Sequence, residues 1–313
     1  MNRPLIVLTG PTAVGKTSLS IRLAKSVNGE IISADSMQVY RGMDIGTAKI
    51  KKGEMQGVRH FLIDEYEPDE SFNVMVFQRR AIEVIEDIYA RGKVPILVGG
   101  TGFYIQSVLY HIQFEKEQSD GCYRRELENL AEHNGGHFLW EKLKAVDEES
   151  ASIIHENNVK KVIRALEFYY QTGTKISTHN EREKRRESPY QFVYFVLNMP
   201  RDILYERIDD RIDLMLKEGL IKEVDGLRKK GYGRELVSMQ GLGYKEILDY
   251  LEGTLTLEEA IYRLKRDTRH FAKRQLTWFR RERNVHWIEK EPDSCEDKIL
   301  NQILEICKEK GIK

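Results

Sequence analysis

Cysteine is scarce: Cys122, Cys295 and Cys307 are the only three in 313 residues, and no two share C-x-x-C spacing. That excludes a disulfide framework, argues against a structural zinc site and points to the cytoplasm. Long apolar runs are missing too, the longest falling far short of the ~20 residues that span a bilayer. Met1-Asn2-Arg3-Pro4 leads straight into an apolar segment, so neither a signal peptide nor a membrane partner is expected. Neither charge sign is in excess, with 50 basic and 50 acidic residues. Internal repeats and low-complexity tracts are not apparent. What remains, 41 % hydrophobic and 32 % charged, describes a soluble globular chain with room for one large domain or two smaller ones.

The neutral total hides uneven placement. Between Tyr262 and Arg283 lie nine basic residues, Arg269, Lys273 and Arg274 among them, opposed only by Asp267 and Glu282. Such a helix can reserve a surface for a polyanion, or it can be an ordinary solvated face.

Gly10-Pro11-Thr12-Ala13-Val14-Gly15-Lys16-Thr17 follows the apolar run Leu5–Leu8 and fits the phosphate-binding pattern G-x-x-x-x-G-K-[ST], the loop of nucleotide-binding proteins. Backbone N–H groups of such a loop wrap a polyphosphate. Lys16 neutralises its oxygens, and the Thr17 hydroxyl can ligate Mg²⁺ at the start of the next helix. The first hundred residues then alternate strand and helix. Strands are expected at Leu5–Gly10, Glu30–Asp35, His60–Asp64 and Val94–Val98, and helices at Lys16–Val27 and Asn73–Arg91, with Asn73 as N-cap and Gly92 as stop. That alternation predicts a parallel sheet with helices on both faces and ligands at the C-terminal strand edges.

The pattern changes after His111. From about 113 to 189 only helical segments are visible (Cys122–His133, Phe138–Val146, Val159–Thr172) before a strand returns at Gln191–Met199. The expected organisation is an α/β core of residues 1–112 and 190–313, interrupted by a helical insertion at 113–189. Helices at Arg201–Lys217 and Leu257–Arg283, a strand at Val285–Ile288 and a final helix complete the core.

Asp35, at the tip of the second strand, would emerge beside the phosphate loop, as a general base, a water-mediated Mg²⁺ ligand or a turn residue. The strand Val94–Val98 instead ends in Gly99-Gly100-Thr101. It lacks the carboxylate with which switch NTPases hold Mg²⁺ and orient water, so group transfer fits better than hydrolysis. Arg207 and Arg211, four apart on one helix face, suit bidentate phosphate contact or salt bridges to Asp202, Glu206 or Asp210. Gly243, Tyr244 and Lys245 combine a close-approach backbone, an aromatic ring and a cation. They can grip a nucleic acid or form an ordinary turn.

Together these residues resemble the tRNA dimethylallyltransferases, also called tRNA isopentenyltransferases. The likeness spans nearly the whole chain. It includes Gly10–Thr17, Asp35–Lys49, Gly99–Tyr104, Val162–Glu167, Gln240–Lys245 and Arg274-Gln275, and the Asp35–Lys49 block is the most specific part. The resemblance implies a P-loop, nucleoside-kinase-like core with an all-helical insertion that binds tRNA. It implies transfer of a dimethylallyl group from dimethylallyl diphosphate to the exocyclic amine of the adenosine just 3′ of the anticodon, with Mg²⁺ and release of diphosphate.

In that scheme Lys16, Thr17, the loop amides, Arg207 and Arg211 hold the leaving group while Asp35 accepts the amine proton. Ser36, Met37, Gln38, Thr101 and Arg124 contact tRNA. Lys160, Lys161, Val162, Ile163 and Arg164 form an insertion motif in which Lys161 replaces the family's usual arginine. The zinc finger of eukaryotic members is not found, as in bacterial-type enzymes, and a monomer is expected. A small-molecule P-loop kinase would share the core, but the basic helix and the lack of an arginine-bearing lid speak against it. Enzymes that prenylate free adenine nucleotides are disfavoured by the large basic helical part, and a non-catalytic RNA-binding P-loop protein is the remaining rival.

Overall fold

A computed structural model describes residues 3–114, 122–291 and 295–312; Met1 and Asn2, on which the expectation about the N-terminus partly rests, lie outside them. By internal contacts the chain divides into two compact units, Met1–His111 with Ser188–Lys313, and Ile112–Glu187.

The first unit is built on six strands: β1 (Pro4–Thr9), β2 (Gly29–Ala34), β3 (His60–Phe61), β4 (Val94–Gly99), β5 (Gln191–Asn198) and β6 (Val285–Glu289). They form one sheet in the order β3-β2-β4-β1-β5-β6, and every pairing is parallel. Leu5, Ile6, Val7 and Leu8 of β1, and Phe195, Val196 and Leu197 of β5, are fully buried, as expected of strands covered on both faces. Two groups of helices flank the sheet. Helix α1 (Lys16–Ser26) packs with α12 (Glu296–Glu309), while α2 (Val74–Ala90) packs with α3 (Gly102–Leu109). Asn73 caps α2 by accepting hydrogen bonds from the N–H groups of Met75 and Val76. The strand expected at His60–Asp64 stops after two residues, because Leu62 and Asp64 take φ angles of 58° and 55°, which end pairing.

All strand tips face one edge because the sheet is parallel. Thr9 and Ala34 both lie opposite Gly99, and the Thr9 hydroxyl donates to the Gly99 carbonyl. Beyond β5, α8 (Arg201–Glu218), α9 (Leu220–Lys229), α10 (Tyr244–Leu251) and α11 (Leu257–Phe279) follow; α11 packs on α10, α8 and α3. Helices α9 and α10 fill the stretch between the helices expected at Arg201–Lys217 and Leu257–Arg283, where the sequence pattern predicts no further helix.

The second unit is helical: α4 (Cys122–Val146), α5 (Glu148–Ile153), α6 (Val159–Thr172) and α7 (Ile176–Lys184). Gly135 interrupts α4 with φ 83° and ψ 163°, dividing it into the two helices its sequence suggests. Its core contains Leu127, Leu139, Leu143, Val162, Ile163 and Leu166. Helix α7 is an element that the sequence pattern does not predict. It is anchored at Ser177, whose N–H and hydroxyl both donate to the buried Asp147 carboxylate.

Candidate active site at the strand tips

The phosphate loop leaves β1 through Gly10, with φ 148°; a Cβ there would lie 2.5 Å from the Leu197 carbonyl oxygen of β5. Only glycine permits that approach. Pro11, Thr12, Ala13 (φ 66°), Val14 and Gly15 (φ 91°) carry the chain to Lys16 and the exposed Thr17 in the first turn of α1. Lys16 Nζ donates to the carbonyls of Gly10 at 2.9 Å and Pro11 at 2.8 Å. Burial, reinforced by the charge of Arg211 and opposed by Asp35, brings its ammonium down to about 7.

Asp35 leaves the tip of β2, two strands from the loop. The intervening β4 end must be glycine: a Cβ on Gly99 would lie 2.2 Å from the Ala34 carbonyl oxygen. Asp35 Oδ1 accepts the N–H groups of Met37 at 2.9 Å and Gln38 at 3.3 Å, which fixes the carboxyl relative to its own backbone. Burial raises its affinity for a proton above that of an ordinary carboxyl, against the pull of those amides and of the Lys16 charge. Gln38 receives the Ser33 hydroxyl and donates to the Thr47 carbonyl; with Ser33 and Thr17 it lines a cavity of about 40 Å³. Ser36 is half-buried beside Asp35, and Thr101 donates its N–H to the same Ala34 carbonyl that crowds Gly99.

Gln275 of α11 joins these pieces. Its Oε1 accepts the Thr12 N–H at 2.9 Å and its Nε2 donates to the Gly100 carbonyl at 3.0 Å. One amide side chain therefore ties the phosphate loop to the bare β4 tip.

Four cations converge on the loop. Besides Lys16 they are Arg207 and Arg211 of α8, and Lys290 just beyond β6. A Cβ on Gly15 would lie 3.7 Å from Arg207 Nη2 and 2.9 Å from Lys290 Nζ. Among the described residues neither Arg207 nor Arg211 forms an ion pair. The α8 acids Asp209 and Asp213 instead bind Arg269 and Lys265 of α11. Burial, together with the neighbouring Arg207, lowers the Arg211 guanidinium below its usual range. A cluster of like charge around a glycine-rich loop, with Lys16 and Arg211 part-buried, Lys290 buried and Arg207 exposed, is arranged for a polyanion.

The IPP transferase family model matches residues 38–282. The chain belongs to this family. It is 61 % identical to the tRNA dimethylallyltransferase of Lachnoclostridium phytofermentans over 99 % of both chains, and 49 % identical to that of Acetivibrio thermocellus over 96 % of both. Among solved structures it is similar to the tRNA isopentenylpyrophosphate transferase of Bacillus halodurans, with 47 % identity, TM-score 0.75 and coverage of 99 % of this chain and 98 % of that one. It is also similar to a eukaryotic dimethylallyltransferase acting on tRNA, with 31 % identity, TM-score 0.83 and coverage of 97 % and 78 %.

Several residues expected to meet RNA prove to be structural. Tyr244 is 0 % exposed; its hydroxyl donates to Glu223, and its ring fills the space a Gly46 side chain would need. Glu223 also accepts the N–H groups of Asp44, Ile45 and Gly46, while the buried Lys49 ammonium pairs with Asp44 and Asp64. The family-specific 35–49 block thus owes part of its character to anchoring. Gly243 is buried with φ 92°, leaving Lys245 as the half-exposed member of that trio.

Val162 and Ile163 lie in the core of the second unit, whereas Lys160, Lys161 and Arg164 are exposed on the same helix. Arg124 pairs with Glu167. Arg269 binds both oxygens of Asp209 at 2.7 Å and so is committed within the protein. Lys273 and Arg274 are exposed, and with His270, Thr277, Trp278 and Arg281 they line a groove of about 430 Å³.

Among the described residues no group of three His, Cys, Asp or Glu side chains could hold a metal ion alone. Thr17, a hard oxygen donor in the first turn beside the loop, still fits Mg²⁺ bound largely through substrate phosphate oxygens. Sequence reasoning passed over Gln275 as a structural bridge and Lys290 altogether. Gln275 sits inside a charge pattern that drew attention to its neighbours, and Lys290 has no local motif.

Proposed function

We propose that the chain transfers a dimethylallyl group from dimethylallyl diphosphate to the exocyclic N6 amine of the adenosine just 3′ of the anticodon in tRNA. The observation that carries this reading is the placement of Asp35 two strands along the same edge from a four-cation phosphate cradle, with only the bare β4 tip between them, near enough to Lys16 for their charges to couple. In the reaction the amine nitrogen bonds to the allylic carbon, the carbon–oxygen bond breaks toward diphosphate, and the amine proton passes to Asp35. Because the allylic bond ionises readily, the protein's main tasks are to stabilise the departing charge and align the amine. The loop amides, Lys16, Arg207 and Arg211 serve the first task. Asp35, oriented by the Met37 and Gln38 amides, serves the second and removes the proton. Mg²⁺ held at Thr17 would add neutralising charge on the diphosphate.

The target base must leave its stack to reach a recessed carboxyl, which an anticodon loop permits at modest cost. We assign Ser36, Thr101, Lys245, Lys273 and Arg274, with Arg124, Lys160, Lys161 and Arg164 of the helical insertion, to the tRNA surface. The same reading takes the enzyme to be a cytoplasmic monomer. Incubation with labelled dimethylallyl diphosphate, Mg²⁺ and an unmodified anticodon stem-loop, followed by digestion to nucleosides, should yield labelled N6-dimethylallyladenosine. Label appearing only with free AMP as acceptor would refute the tRNA assignment.

A further inference from the structure

We propose that Lys290 is a fourth diphosphate-binding cation, a leaving-group contact supplied by the segment after the last strand. It lies outside the stretch matched by the family model, and it rests on the reading of the loop as a diphosphate cradle.

The Lys290 N–H donates to the Asn198 carbonyl at 2.8 Å, which extends the β5–β6 pairing and carries its side chain over the phosphate loop. That side chain is only 8 % exposed, and its Nζ lies where a Gly15 Cβ would be approached to 2.9 Å. Gly15 is the residue whose amide opens α1, and Arg207 approaches the same point from α8. A buried ammonium normally has a carboxylate in close contact. Here the nearest among the described residues, Glu296 Oε1, is 4.0 Å away. Glu296 is moreover engaged elsewhere: Oε1 accepts the Ser18 hydroxyl at 2.8 Å, and Oε2 faces Arg22 at 3.6 Å. Burial weakens the hold of Lys290 on its proton, and the Arg207 charge adds to that effect against Glu296. A phosphate oxygen over Gly15 would supply the close counter-charge that Glu296 does not.

The test is calorimetric titration of the full chain with inorganic diphosphate and Mg²⁺, together with steady-state kinetics. Lys290→Met should weaken diphosphate binding and raise KM for dimethylallyl diphosphate by roughly tenfold or more, as expected for loss of one charge-assisted contact, while stem-loop affinity holds. Lys290→Arg should recover most of the loss. Glu296→Gln separates the readings: it should leave diphosphate affinity within about twofold of wild type, whereas a purely structural Lys290–Glu296 pair predicts parallel losses in both variants. If wild type binds diphosphate and Lys290→Met binds it equally well, the Lys290 assignment falls alone. If wild type does not bind diphosphate, the cradle falls and Lys290 with it.

Discussion

Asp35 and Lys16 are adjusted in opposite directions by the same burial. Desolvation favours the neutral form of each, raising the carboxyl and lowering the ammonium, while their mutual attraction limits both shifts. For Asp35 the consequence is a better proton acceptor than an exposed aspartate. Asp35→Ala should lower turnover by about 10²–10⁴-fold, the usual worth of a positioned base, and leave stem-loop affinity nearly unchanged. A parallel loss of RNA binding would show that Asp35 holds the nucleotide and does not serve as the base. Lys16 carries a pH signature. With its pKa near 7 in the protein against 10.5 ordinarily, the ammonium is largely deprotonated above about pH 7 until an anion binds and restores the charge. Diphosphate binding at about pH 8 should therefore take up close to one proton, and affinity should fall as pH rises, by up to about tenfold per unit. Calorimetry in buffers of different ionisation enthalpy measures that uptake; no uptake would mean that Lys16 keeps one protonation state through binding, and the predicted pH signature falls.

Helix α11 shows how one element divides its labour. Thr256 caps it through a bond from the Glu259 N–H, and Leu264, Ala272 and Phe279 face the core. Gln275 braces the loop, and five basic residues of α11 and the turn after it divide into two sets. Lys265 and Arg269 are paired with α8 acids, whereas Lys273, Arg274 and Arg281 border the open groove. Alanine at Lys273 and Arg274 should weaken stem-loop binding and make its salt dependence shallower by about one logarithmic unit of slope per lost phosphate contact. Arg269→Ala should behave differently, lowering thermal stability through the abandoned Asp209 and leaving the salt slope nearly intact. Identical slopes for all three variants would place the RNA elsewhere. A helical period cannot reveal this division, because Lys265 and Lys273 look alike until α8 is packed against the helix.

At the scale of the molecule, each unit has its own buried core. In the second unit Asp147 holds four hydrogen bonds, from the N–H and hydroxyl of Ser150 and of Ser177, and so ties α5 to α7. Burial alone would raise its pKa, but those bonds outweigh burial and leave it below the ordinary value of 3.8. Its stabilisation is therefore fully present above about pH 4 and is lost as pH falls through the depressed value. Asp147→Ala should cost about 2–4 kcal/mol, since it strands buried serine donors. The loss should appear in hydrogen exchange as reduced protection across residues 122–187, with amides of β1, β4 and β5 unchanged. Loss spread evenly over both units would contradict separate cores.

Much was settled by local chemistry. The phosphate loop, the strand–helix alternation, the Asn73 cap and the helical character of the insertion follow from glycine placement, apolar periodicity and capping, all of which act within a few residues. The block from Asp35 to Lys49 was enough to place the chain in its family. Other features depend on atoms distant in sequence. Tyr244, Val162 and Ile163 looked available for RNA until packing buried them; Arg269 looked available until Asp209 claimed it. Lys290 comes near the phosphate loop only because the parallel sheet brings the end of β6 to the same edge as the end of β1, with β5 between them. Motifs report what the backbone does locally, whereas the sharing of charge among residues hundreds of positions apart is decided by which strand tips become neighbours.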